Sequence, residues 1–186
     1  MKVSAVILTL NEEINLPRCL ESLKWCDDVV VLDSYSTDDT EAIAKSFGAR
    51  FVQREFDNYA RQRNFGLKKI PFKTPWVLFV DADEEVSVEL TREIQRITEE
   101  ASKEISMYRM RRKDFFMNRW LRHSSGYPTW FGRLVRPDRV EVKRAINEEY
   151  HTDGQNRNLN GHLLHYPFNK GFHAWIEKHN RYSTME

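Results

Sequence analysis

Four short apolar runs, each followed by a polar loop, dominate the first half of the chain. Val3-Ser-Ala-Val-Ile-Leu8, Val29-Val-Val-Leu32, Phe51-Val52 and Trp76-Val-Leu-Phe-Val80 have strand length and do not alternate between apolar and polar residues. A strand apolar on both faces must be covered on both, which a parallel sheet between two helix layers provides. The intervening segments read as those helices. One runs from Leu16 to about Trp25, with Pro17 in its first turn and Leu16, Cys19, Leu20 and Leu23 on one face. Ser36 and Asp39 have capping-box spacing for a second helix that runs to Phe47 and stops at Gly48. Asp57 is placed to cap a third over Asn58 to Lys68, and Ser87 a fourth to about Ala101. The fold class expected is Rossmann-like α/β, mostly parallel, with helices on both faces.

The second half changes character. From Met107 to Arg122 cations and aromatic rings interleave: Arg109, Arg111, Arg112, Lys113, Phe115, Phe116, Arg119, Trp120, Arg122. A strand is expected over Arg133 to Arg136, then a polar stretch to Gly161, a short β-like piece from Leu163 to Tyr166, and a final helical pattern carrying Phe172, Trp175, Ile176 and His179. The interleaved stretch suits a surface against anionic lipid headgroups or a phosphorylated glycolipid. It equally suits a hairpin whose rings pack on the sheet.

Charge narrows the classes. Lys+Arg 29 against Asp+Glu 28 gives a net charge of +1, which argues against a nucleic-acid partner held by bulk charge. No apolar run approaches the ~18 residues of a membrane span. Met1-Lys2-Val3-Ser4 runs straight into the first strand without a signal-peptide pattern, so a cytoplasmic location is expected. Cys19 and Cys26 lie about two helical turns apart, roughly 10 Å, too far for a disulfide, and read as packing residues.

In open parallel sheets ligands bind beyond the carboxyl ends of the strands. Three of the four runs end there in polar groups: Thr9-Leu-Asn11-Glu12, Asp33, and Asp81-Ala-Asp83. Carboxylates in those places suit a nucleoside or a metal better than a bare phosphate cradle. Two acids spaced Asp-x-Asp can hold Mg²⁺ or Mn²⁺, which then bridges substrate phosphates.

Ser4 to Glu12, Asp33-Ser-Tyr-Ser-Thr-Asp-Asp-Thr40 and Val80-Asp-Ala-Asp-Glu84 together resemble the family 2 glycosyltransferases of GT-A fold. Gly126-Tyr-Pro, Arg133 to Arg136, Asn147-Glu148, Leu164-His-Tyr166 and Lys178-His-Asn-Arg-Tyr182 look like the bacterial enzymes that add glucose to the lipopolysaccharide or lipooligosaccharide core through a β-1,4 linkage. The resemblance implies a donor half over residues 1–105 and an acceptor-side half over 106–186 of one GT-A domain. It implies a UDP-sugar donor, a glycolipid or core-saccharide acceptor, and a peripheral position at the inner face of the cytoplasmic membrane. By the same resemblance Thr9, Asn11 and Glu12 line the nucleoside pocket and Asp33 reads the uracil. Arg61 and Asn64 close the base pocket, and Asp81 lies near the ribose. Asp83 is the metal ligand, and His165 completes the metal site or touches the pyrophosphate. Arg133 approaches the donor phosphates. Glu148 is the base, with Glu149 its neighbouring alternative, because Asn147-Glu148-Glu149 stands where the subfamily has a His-Glu pair. The implied reaction is an inverting single displacement, in which a carboxylate deprotonates the acceptor hydroxyl as it attacks.

Two competing functions are weighed on the residues. A sugar-nucleotide pyrophosphorylase needs a Gly-rich basic loop after the first strand, where this chain has Thr-Leu-Asn-Glu. A catalytically silent membrane- or glycan-binding module of the same fold would not need Asp81, Asp83 and Glu148 together.

Overall fold

The computed structural model describes residues 2–123, 126–144 and 149–185. The four apolar runs become β1 (Val3–Thr9), β2 (Asp28–Asp33), β3 (Arg50–Gln53) and β4 (Trp76–Asp81), separated by α1 (Leu16–Ser22), α2 (Thr40–Ser46) and α3 (Tyr59–Lys69). After β4 come β5 (Glu84–Val86), α4 (Val88–Glu100), β6 (Ile105–Phe116), β7 (Arg119–Trp120) and β8 (Trp130–Val135). The chain continues through β9 (Val140–Lys143), β10 (Glu149–Thr152), β11 (Gln155–His165) and α5 (Phe172–Met185).

One sheet runs β3-β2-β1-β4-β8-β6-β11-β5, with β7 paired to β6 outside that path, and β9 and β10 form a separate hairpin. β1 to β4 are mutually parallel, as their composition demands. Odd positions of β1 and even positions of β4 (Val3, Ala5, Ile7; Trp76, Leu78, Val80) enter one core with Leu16, Leu20, Leu90 and Ile94. The alternate positions Val6, Val77 and Phe79 enter a second core with Ala60, Leu67 and Val142. Each strand feeds two cores at once, which is why it cannot carry a polar face. Cys19 and Cys26 are free and buried among these residues, and burial pushes the Cys26 thiol up to about 12.

The second half completes this sheet. β8 lies antiparallel between β4 and β6, and β11 runs parallel to β6, so the sheet is mixed. The basic-aromatic stretch is largely β6, a central strand of 12 residues. Its cations lie over rings: Arg111 over Trp130, Arg112 over Phe131 and Lys113 over Trp120. The charged heads themselves lie over the rings, and Arg111 and Arg112 also reach Asn160 O and Asp114, so a charged segment can sit inside a sheet. The packed-hairpin reading accounts for residues 107–120. The polar stretch to Gly161 contains β9, β10 and the first part of β11, and Gly161 lets α4 pass closely: a Cβ there would stand 2.5 Å from Leu90 Cα.

Helix starts depart from expectation at two places. Asn58, not Asp57, caps α3, its side chain accepting from Arg61 N at 2.9 Å. Asp57 is held instead by the Arg54 fork, with both bonds at 2.9 Å. Ahead of α2 the capping box does not form, because Ser36 is taken by Asp33 and by the backbone of Asn11. α1 ends at Ser22, one turn short of Trp25.

Candidate active site

The polar groups after β1, β2 and β4 gather at one end of the sheet, because parallel pairing in register brings their carboxyl ends level. Thr9 sits opposite Asp33, and Leu8 opposite Asp81. Asp33 is fully buried and accepts from Thr9 Oγ1 at 2.8 Å, Ser36 N at 2.8 Å and Ser36 Oγ at 2.5 Å. The next loop is tied to the first. Asn11 N donates to Ser36 Oγ at 2.7 Å, and Asn11 Oδ1 accepts from Thr37 N at 2.8 Å. Asn11 takes a left-handed backbone, φ 53°, which Asn tolerates better than most residues. Glu12 turns inward, accepting from Lys170 Nζ at 2.6 Å and Asn15 Nδ2 at 2.9 Å. Burial raises its carboxyl in spite of Lys170.

Asp81 and Asp83 stand side by side in sequence but have different partners. Asp81 accepts from Arg133 at 2.7 and 3.2 Å and from Arg63 at 2.9 Å. Burial alone would raise its carboxyl; the two guanidinium groups outweigh this and hold it well below the carboxylate range. Arg133 also reaches Glu84 at 3.2 Å, and Glu84 accepts from Asp81 N at 3.0 Å. Asp83 instead faces His165, Oδ2 to Nε2 at 3.3 Å, with Lys178 Nζ at 3.6 Å. Burial again works toward the neutral acid, and His165 and Lys178 overcome it to keep Asp83 ionised. The other His165 nitrogen, Nδ1, lies 2.7 Å from Asp114 Oδ1. Burial disfavours the imidazolium, yet Asp83 and Asp114 together raise the His165 pKa to about 9.

This chemistry fits a divalent cation. Asp83 would offer an oxygen and His165, once a cation displaces its Nε2 proton, a nitrogen whose direction Asp114 sets, an arrangement commonly seen behind metal-bound histidines. Asp81 is committed to two arginines and is not a ligand. Among the described residues no group of three or more His, Cys, Asp or Glu side chains could enclose an ion. Two protein donors with phosphate oxygens and water making up the rest is the pattern of Mg²⁺-type sites.

Of the residues singled out from the sequence, Thr9, Asn11, Glu12, Asp33, Asp81, Asp83, Arg133 and His165 cluster here. Arg133 is buried against Asp81 and Glu84. Arg61 and Asn64 point elsewhere: Arg61 is exposed and 3.5 Å from Asp57, while Asn64 exchanges two hydrogen bonds with the backbone of Val142, at 2.7 and 2.9 Å. The α3 residue that does reach the cluster is Arg63, and its signal was present. Ala60, Arg63 and Leu67 share one helical stripe, and all three are buried. Asp114, the one acid in a basic run, carried a similar signal. Lys170 and Lys178 carried none that spacing could reveal. Glu148 lies outside the described residues; Glu149, on β10, is exposed beside His151 at 3.6 Å.

Residues 4–174 match the sequence model of Glycosyl transferase family 2. The chain belongs to that family. The family 2 chain is 32% identical over 195 residues to the lipopolysaccharide core biosynthesis glycosyltransferase LpsC of Rhizobium meliloti (strain 1021), covering 100% of this chain and 70% of LpsC. It is 43% identical over 97 residues to an uncharacterized glycosyltransferase of Rickettsia bellii, of whose length that match covers 32%. Its fold is similar to residues 1–349 of S. aureus TarS, solved with UDP-GlcNAc, with a TM-score of 0.62 at 19% identity over 89% of this chain and 58% of that one. Family membership sets aside the pyrophosphorylase alternative, in agreement with the non-basic loop after β1.

Proposed function

We propose that the family 2 chain transfers a hexose, glucose, from a UDP-sugar to a glycolipid or lipopolysaccharide-core saccharide by an inverting, metal-dependent single displacement. The observation that carries this reading is the pair formed by Asp83 and His165, 3.3 Å apart just past β4, at the end of the sheet where the buried Asp33 also lies. Asp33 accepts from Thr9, from Ser36 and, at a long 3.5 Å, from Gln53 Nε2; a base N–H would take the place of that Gln53 contact, and Asn11 shapes the loop above it. Asp81, neutralised by Arg63 and Arg133, adds no net repulsion toward an incoming diphosphate. Mg²⁺ or Mn²⁺ held by Asp83 and His165 would supply charge stabilisation for the departing nucleoside diphosphate. Glu148 is proposed as the base that takes the acceptor proton. The core-saccharide acceptor follows LpsC's name, and a reaction at the inner face of the cytoplasmic membrane is part of the same proposal. Among the described residues no helix is long and apolar enough to cross a membrane.

A thermal-shift panel tests the donor assignment, since a ligand that binds only the folded state raises its stability. UDP with Mn²⁺ is expected to raise the midpoint, and GDP and CMP are not. UDP release from UDP-glucose with Mn²⁺ should be lost in Asp83→Ala. Equal shifts for all three nucleotides would remove the uracil role of Asp33. Absence of any metal-dependent donor binding would favour the silent binding module.

A further inference from the structure

The segment that follows β11 is pinned to the loops of the site at several points. Tyr166 N donates to Asp83 O at 2.8 Å, Arg18 stacks on the Tyr166 ring at 4.2 Å, and Asn169 Nδ2 donates to Asn15 Oδ1 at 3.0 Å. Phe168 packs against Phe116, Phe172 and Trp175, with ring centroids 5.1 to 5.4 Å apart. From this anchored backbone two lysines reach into the site. Lys170 Nζ ends 2.6 Å from Glu12 and Lys178 Nζ ends 3.6 Å from Asp83.

We infer that Lys170 and Lys178 are donor-diphosphate residues, which exchange their carboxylate partners for phosphate oxygens when the UDP-sugar binds. This rests on the UDP-sugar reading above. The backbone is fixed by aromatic packing, so only flexible four-carbon stems need to swing. The Lys178 side chain is 47% exposed and its contact with Asp83 is long, so the pair is weak and readily exchanged. A diphosphate beside Asp83 offers several charged acceptor oxygens, to which an ammonium group makes stronger, charge-assisted bonds. As the sugar leaves, negative charge grows on those oxygens, where the two ammonium groups stabilise it. Lys178 and a divalent cation would also compete for the Asp83 carboxylate. Lys178 should therefore oppose the metal when no nucleotide is present and assist the nucleotide once the metal is bound.

Those opposite signs supply the test. The full chain and its Lys170→Met, Lys178→Met and Lys178→Arg variants are titrated with Mn²⁺ alone, followed by the electron paramagnetic resonance of free Mn²⁺. They are then titrated calorimetrically with UDP, and with uridine, in saturating Mn²⁺. Each Met variant is expected to bind UDP about tenfold more weakly, the worth of one charge-assisted bond, with uridine unchanged. Lys178→Met should bind Mn²⁺ alone more tightly than the parent, and Lys178→Arg should recover most of the UDP affinity. Unchanged UDP affinity in both Met variants, an equal loss for uridine, or weaker Mn²⁺ binding by Lys178→Met would overturn the inference while leaving the UDP-sugar reading intact. Failure of the parent chain to bind UDP with Mn²⁺ would overturn both.

Discussion

Replacing Arg133 by Met should be among the most costly single changes in this chain, and its cost should depend on pH in a defined direction. Arg133 donates three hydrogen bonds, two to Asp81 and one to Glu84, and its side chain is 5% exposed. Met keeps most of the apolar volume, so cavity formation contributes little. What is lost is the cation between two acids. Removing one partner of a buried ion pair costs about 3–5 kcal/mol. Asp81 retains Arg63, and Glu84 retains Arg112 at 3.8 Å. These remaining cations put the expected loss near the lower end, about 3 kcal/mol at pH 8, or roughly 6–12 °C in Tm for a chain of this size. Burial already raises the Glu84 carboxyl in the parent, with Arg133 opposing it; without Arg133 it rises further. A group whose folded pKa lies above its unfolded value is most favourable when protonated, below the unfolded pKa of 4.5, and loses that contribution as pH rises through the folded pKa. The deficit of Arg133→Met should accordingly be largest at pH 8 and shrink toward pH 5. Glu84→Gln added to the variant should recover part of it at pH 8. Urea denaturation across this range, with m-values compared to confirm two-state behaviour, measures all of these quantities. A deficit under about 1 kcal/mol at pH 8, or one that grows on acidification, would refute the claim that Arg133 exists to neutralise buried acids.

Two further outcomes follow from the same geometry. Asn64→Ala strands the N–H and C=O of buried Val142 and should cost about 1–3 kcal/mol in urea denaturation while leaving the UDP affinity of the folded protein unchanged; a loss of UDP affinity with stability intact would make Asn64 a base-pocket residue after all. His162 is held down to about 4 by burial and by Lys113 and Arg111, so between pH 6.5 and 4 the unfolded chain binds a proton that the folded chain refuses. Stability should therefore fall as pH drops through that window, and the parent-minus-variant difference for His162→Gln, from denaturation at several pH values, should flatten above pH 6.5.

Much of the first half was legible because its signals are local. A strand such as Trp76-Val-Leu-Phe-Val80 has to be buried on both faces whatever it packs against, so the parallel array of β1 to β4 follows from composition and spacing. The placing of Thr9, Asp33, Asp81 and Asp83 at one end follows from parallel register alone. The individual caps were less legible: Ser36 and Asp57 each had the right chemistry at the right spacing, and each found a stronger partner in Asp33 or Arg54.

The second half of the chain is different in kind. β6 reads along the chain as a lipid-facing surface or a packed hairpin, and only the fold puts rings of β7 and β8 against its cations; the first part of β11 reads as a polar stretch and becomes a strand by pairing with β6. The state of each site residue was likewise undecidable along the chain. Asp81 and Asp83 are chemically identical, yet one is neutralised by arginines from α3 and β8, while the other is left facing a histidine from β11 and a lysine from α5. Local propensity can place a carboxylate at a strand end. Whether it remains charged, and for what partner, is set by Coulomb energy over a few ångströms, and only the tertiary fold brings groups tens of residues apart within that distance.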